Sequence, residues 1–181
     1  MWRYILPLAI VIALFSALWA GLFRNPGEVP SPHIGRSVPE FALPELHDPE
    51  RTFTHEALRG RISLLNVFGT WCPGCHEEHG VLMAWAAQPP YGVPIYGLNW
   101  KDDRDAAIAW LRRDGNPYER IGFDAEGDVA IDWGVYGAPE TFLIDSSGRI
   151  RLKHIGVITE QVVIEKLIPA IEALRVEEGL Q

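Results

Sequence analysis

In Ile62-Ser-Leu-Leu-Asn-Val-Phe-Gly-Thr-Trp-Cys-Pro-Gly-Cys75 an apolar run gives way to a break and then to a pair of cysteines. Ile62 to Phe68 is almost continuously apolar, as expected of a central strand buried on both faces. Gly69 and Thr70 interrupt it. From Pro73 to Ala87 the chain reads as a helix with Val81, Leu82 and Trp85 on an apolar stripe, ended by Pro89 and Pro90. A CxxC that follows a buried strand and opens a helix has a redox meaning. Unpaired N–H groups and the helix dipole favour negative charge at the position of Cys72. The thiolate is the attacking species, so Cys72 is the candidate nucleophile, expected at the surface. Pro73 suits the first helical position because its missing N–H costs nothing there. Cys75, one turn on and expected to be more buried, is the candidate resolving thiol. A purely structural disulfide closing so short a loop would add little stability.

Outward from this core the pattern continues as alternating strands and helices. Pro94 to Trp100 reads as a second strand, and Asp103 to Arg113 as a helix with Ile108 and Leu111 inward and Gly115 closing it. Ile121 to Phe123 is a short strand, and Val129 to Trp133 one or two helical turns. Thr141 to Ile144 is another apolar strand, and Asp145-Ser-Ser-Gly148 a turn. Ile150 to Ile155 alternates like a half-buried hairpin partner. Thr159 to Leu174 is a closing helix with Val162, Val163, Leu167 and Ile171 on its inner side and a kink expected at Pro169. The order βαβα, hairpin, helix implies an α/β sandwich with a mixed sheet.

The 181 residues carry a formal net charge of −8 and are 48% hydrophobic and 22% charged, a globular composition whose acidic surface disfavours nucleic acid. The only two cysteines are those of the CxxC, so the domain must be stable without disulfide staples. Ile5 to Phe23 holds no charged residue and lies between Arg3 and Arg24. That length matches a bilayer-spanning helix of about 20 residues. A cleaved signal is the alternative, with Ala20 before the cut, but Leu18 and Trp19 make a poor site. Residues 1–24 are therefore read as a membrane anchor. Residues 25–37, with Pro26, Pro30 and Pro32, are read as an extended tether, and 38–181 as the folded domain.

Two other chemistries use the same residues. Cys72-Pro-Gly-Cys75-His76 is literally a CxxCH, the attachment motif for c-type haem, although Met83 on the same helix could not reach the opposite haem face. Cys72, Cys75, His76 and His79 also offer metal ligands, but a structural zinc site usually draws its pairs from separate segments. For both histidines an exposed helix face is the plainer expectation.

Gly134-Val-Tyr-Gly-Ala-Pro-Glu-Thr141 precedes the strand at 141–144, and a proline there suggests a tight turn with a cis bond. Together with the CxxC it resembles the thioredoxin superfamily, whose cis-proline loop packs on the active-site disulfide. The resemblance covers essentially the whole chain. Trp71-Cys-Pro-Gly-Cys75 with Glu78 and His79, Gly97-Leu-Asn-Trp-Lys-Asp102, Asp132 to Asp145 and the N-terminal run together look like the CcmG/DsbE family. That resemblance implies a thioredoxin-like fold and a single-pass protein of the bacterial inner membrane. Its catalytic domain would lie in the periplasm, reducing disulfides during cytochrome c biogenesis without a diffusible cofactor. A DsbD- or CcdA-type membrane carrier would supply electrons. The acceptor would be the oxidised CxxCH of apocytochrome c or a CcmH-type maturation partner. An oxidase or isomerase on the same fold would run identical chemistry at another potential.

By position the resemblance makes Cys72 and Cys75 the redox pair and Pro139 the cis-proline, with Glu78 and Glu140 at acidic positions near the site. Gly74 stands where Thr or another larger residue is more usual. Asn66 occupies the place of thioredoxin's buried Asp, so Glu78 or Glu140 is the candidate proton acceptor for Cys75. Trp71 is expected to shield the sulfurs. Tyr136, Ala138 and Pro139 are expected to meet an extended substrate segment by strand addition.

Overall fold

The structure, a computed structural model, describes residues 5–6, 11–12, 14–16 and 18–19, all helical, and residues 33–180. The rest of the expected anchor, and residues 25–32 of the expected tether, lie outside the described residues. Among the described residues no helix is long and apolar enough to cross a membrane.

The fold opens with a two-stranded antiparallel hairpin, β1 (Ala42–Pro44) and β2 (Thr52–Thr54). The main sheet holds β3 (Ser63–Phe68), β4 (Ile95–Trp100), β5 (Ile121–Asp124), β6 (Glu140–Ile144) and β7 (Ile150–Ile155) in the order β5-β4-β3-β6-β7. β3, β4 and β5 are parallel; β6 runs antiparallel to β3, and β7 to β6. This is the mixed sheet expected. The helices are α1 (Pro73–Ala87), α2 (Arg104–Asp114), the short α3 (Asp128–Asp132) and a C-terminal helix, α4. α4 starts at Glu160–Val162, passes through a π-helical turn at Val163–Leu167 and continues as Ile168–Glu177. Pro169 has no N–H, and its ring crowds the carbonyl four residues back, so the expected kink takes the form of that wider turn.

Every residue of β3 is buried because both faces of the sheet are covered. Leu64 and Phe68 pack with Leu82 and Trp85 of α1, Trp110 and Leu111 of α2, and Leu167 and Ile171 of α4. Leu65 and Val67 face the other way, onto Phe41, Phe53, Leu58, Trp133 and Phe142. The β1–β2 hairpin thus closes the second face, a job that three-residue strands gave no periodic signal of. The folded unit also begins before Val38: Gly35 N–H donates to Ile150 O (2.7 Å), Val38 N–H to Gly148 O (2.9 Å), and Ser37 bridges Arg149.

One register detail corrects the simple alternation read in 150–155. A shift in the β6–β7 pairing at Leu143/Ile144 sets Ile144 opposite Ile150 but Phe142 opposite Lys153. A bulge of this kind transposes the residues that follow it to the other face. Lys153 is thereby turned into the second core.

Phe53 is fully buried, 5.3 Å from the Phe41 ring and stacked at 5.5 Å on Tyr96. Phe53→Ala is expected to lower unfolding free energy by about 3–5 kcal/mol in urea titrations. A loss below about 1 kcal/mol would mean that the hairpin is not integral to the fold.

Candidate active site

α1 begins where β3 ends, so the strand delivers Cys72 to the helix N-cap. There its Sγ accepts from Cys75 N–H at 3.1 Å, with Pro73 at the first helical position. Cys72 and Cys75 are joined in a disulfide, Cα to Cα 5.3 Å. The Ala138–Pro139 peptide is cis, and Pro139 lies against the active-site turn: a Cβ on Gly74 would come within 2.9 Å of Pro139 Cδ and 3.1 Å of Val157 Cγ2. Gly74 is thus where the two loops touch.

The expected exposure of Cys72 is not found. Cys72 is 1% and Cys75 2% exposed, both within the first core, with Ala138 packed against it. The missing side chain of Gly74 allows Pro139 and Val157 to approach the turn closely, and the disulfide is enclosed. Exposed nearby in the chain are Trp71, beside Cys72 and 50% exposed, and Tyr136, in the Pro139 loop and 79% exposed.

A second loop braces the turn. Asp102 accepts from Thr70 N–H (2.7 Å), Thr70 Oγ1 and Asn99 Nδ2 (2.8 Å), while Trp71 Nε1 donates to Trp100 O (3.2 Å). The Lys101–Arg104 segment, which sequence marks only as polar, therefore holds the residues just before Cys72. Asp103 is the N-cap of α2 through Ala106 N–H.

One turn along α1 from Cys75, a buried polar network begins. Glu78, one turn after Cys75 on α1, is 1% exposed. Its carboxylate accepts from Asn66 Nδ2 (2.8 Å) and from Ile158 N–H (2.7 Å). Asn66 Nδ2 also donates to Thr141 Oγ1 (2.9 Å), and Tyr118 Oη donates to Asn66 Oδ1 (2.8 Å). Burial pushes the Glu78 carboxyl up to about 7, against the opposing pull of the Ile158 and Asn66 donors. Burial, and then the Glu78 charge, hold the Tyr118 phenol well above its ordinary value, so it stays a donor. Tyr118 and Ile158 carried no motif, and Thr141 was marked only as the end of the proline-loop run; the polar Asn66 inside an apolar strand was the one hint of the network.

Glu140 is brought elsewhere. Thr141 shares a face with Asn66, so its neighbour Glu140 must point to the opposite face of the sheet. There it pairs with Lys153 Nζ at 2.9 Å, the two side chains being 1% and 3% exposed. Its carboxylate is therefore across the sheet from Asn66 and Glu78. His76 is exposed, with Nε2 2.9 Å from Thr70 O, as expected of that face. His79 is not: it is 7% exposed, packed on Trp110 with Nε2 3.3 Å from Asp114 O. With the sulfurs bonded to each other and both rings turned to separate carbonyls, the four residues do not form a ligand set. Among the described residues no cluster of three or more such side chains is placed to hold a metal ion.

Residues 33–168 match the redoxin family. The chain is 46% identical over 169 residues to the thiol:disulfide interchange protein DsbE of Allochromatium vinosum, covering 93% of this chain and 92% of that one. It is 47% identical over 170 residues to the protein of the same name from Pseudomonas aeruginosa, covering 94% and 93%. The fold is also that of a secreted thiol-disulfide isomerase from Corynebacterium glutamicum, with TM-score 0.65 and 21% identity over 75% of this chain and 85% of that one.

Between the ordinary value of 4.5 and about 7, folded Glu78 holds a proton that the unfolded chain has released. Stability must therefore fall as pH rises through that window. Urea titrations should show a loss of at most about 3 kcal/mol between pH 4.5 and 7.5. Glu78→Gln should remove this slope while leaving an acceptor oxygen for only one of the two donors, Asn66 and Ile158, at every pH. An unchanged slope in the variant would place the raised pKa elsewhere.

Proposed function

From the premise that this chain belongs to the redoxin family and, within it, to the DsbE thiol:disulfide interchange proteins, we propose that it is a reductant in cytochrome c biogenesis. Its substrate in this reading is the oxidised CxxCH of apocytochrome c, or a maturation partner that carries the same electrons onward. The observation that carries the proposal is the Cys72–Cys75 disulfide at the start of α1, with Pro139 against its turn and the Glu78 carboxyl buried one turn after Cys75.

The reduced enzyme starts the cycle. Cys72 thiolate, stabilised by the N–H groups of the first turn, attacks one substrate sulfur. The substrate disulfide breaks and its other sulfur leaves as a thiolate. Cys75 then loses its proton to Glu78 and attacks Cys72. The mixed disulfide breaks, and the second substrate sulfur leaves. Two electrons pass to the substrate, and the enzyme is left in the disulfide form described above. A group with a pKa near 7 is suited to this work because it accepts and returns a proton at neutral pH. Trp71, Tyr136 and Ala138 form the rim against which an extended substrate segment would lie, its backbone pairing beside Pro139.

Reduction of the pair by a DsbD- or CcdA-type membrane carrier completes the cycle in this proposal. The uncharged run Ile5–Phe23 between Arg3 and Arg24 supports an inner-membrane anchor, with the catalytic domain in the periplasm.

Cys75→Ser is expected to accumulate a mixed disulfide between Cys72 and its substrate, resolved on non-reducing gels and identified by mass spectrometry. Cys72→Ser should trap nothing. A reduction potential as oxidising as DsbA, about −120 mV, would overturn the reductant reading in favour of an oxidase.

A further inference from the structure

Lys153 is a cation inside a core. Its side chain is 3% exposed on β7, and its polar contacts all go to the loop that carries Pro139. Nζ donates to Gly134 O at 2.7 Å and pairs with Glu140 Oε2 at 2.9 Å. Glu140 Oε1 in turn accepts from Tyr136 N–H at 2.9 Å. The same ammonium sits 4.6 Å from the Tyr136 ring centroid and 5.4 Å from that of Phe142. One charge thus gathers the start of the loop, its exposed aromatic and the residue that follows Pro139.

Stability does not account for this arrangement. Taking an ammonium and a carboxylate out of water costs several kcal/mol for each ion, and an apolar pair of similar volume often serves a core as well or better. The proton chemistry does not account for it either, because Glu140 and Glu78 lie on opposite faces of the sheet. What the pair does fix is the shape of residues 134–140, whose outer side carries Tyr136, 79% exposed, and the backbone beside Pro139.

We propose that Lys153, through its ion pair with Glu140, is a positioning residue that sets specificity for polypeptide disulfides. It holds Tyr136 and the Ala138 backbone in register for an extended substrate segment. This rests on the thiol–disulfide exchange proposed above and adds to it a residue that touches neither sulfur. A polypeptide needs the loop's shape to pair its backbone, whereas a small disulfide needs only a path to Cys72.

The test compares reduction of an oxidised CxxCH-containing peptide with reduction of a small aromatic disulfide. Lys153→Met removes the cation but leaves Glu140 buried and unpaired, which threatens folding. Lys153→Met/Glu140→Gln leaves no unpaired charge, and a urea titration verifies that it is folded. In this double variant the ratio of kcat/KM for the peptide to that for the small disulfide should fall about tenfold, carried by KM for the peptide. A folded double variant with the wild-type ratio overturns the inference. So does one in which both substrates lose rate equally through kcat, since the pair would then support the sulfur chemistry itself. A wild-type protein that reduces neither substrate overturns the exchange reading, a result distinct from a variant failing beside a working wild type.

Discussion

A carboxyl group resists being taken out of water, and Glu78 is nevertheless buried, one turn after Cys75 on α1. The protein manages this with two donors: the Asn66 amide from β3 and the Ile158 N–H from the loop before α4. Those bonds favour the ionised form, burial favours the neutral one, and burial wins by enough to bring the carboxyl close to neutrality. The surroundings follow from the need to satisfy each partner in turn. Asn66 has an oxygen left over, which Tyr118 fills, and the Tyr118 ring stacks on Phe68 at 4.7 Å, tying the network to the core. Without this chain of bonds these buried polar groups would each carry an unmet desolvation penalty.

The sheet separates two tasks because side chains alternate across it. One face holds Asn66 and Thr141, hydrogen-bonded through Asn66 to the Glu78 carboxyl. The other holds Glu140 and Lys153, which shape the loop from behind. Thr141 and Glu140 are neighbours in sequence, and one step along the strand divides the acid–base environment from the mechanical support.

Much of this was legible in the chain. β3, α1 and β6 each present one unbroken pattern, apolar run or helical stripe, and the cysteines and Pro139 mark the joins between elements. Other features had no such pattern. The β1–β2 strands are three residues each and include Pro44, too short for a period to show. The Glu78 network draws residues from β3, β6, α1 and two loops, and no spacing along the sequence unites them. Lys153 looked like the polar half of an alternation until the register shift beside it turned it inward. Glu140 looked like an acid near the site; it follows Pro139, but its side chain lies on the face of the sheet opposite Asn66. The burial of Cys72 depends on what covers it: a helix N-terminus alone predicts exposure, and the Gly74 contact with Pro139 and Val157 supplies the cover.

The segment that supplies part of this cover also bonds the Glu78 carboxyl. With both sulfurs enclosed, exchange must begin with a local opening, and the parts in contact at Gly74 are Pro139 and Val157. Val157 is followed by Ile158, whose N–H is one of the two donors that hold down the Glu78 pKa. The run Val157–Ile158 therefore does two things at once: its first side chain lies against the active-site turn, and the N–H of its second lowers the pKa of a carboxyl that burial raises.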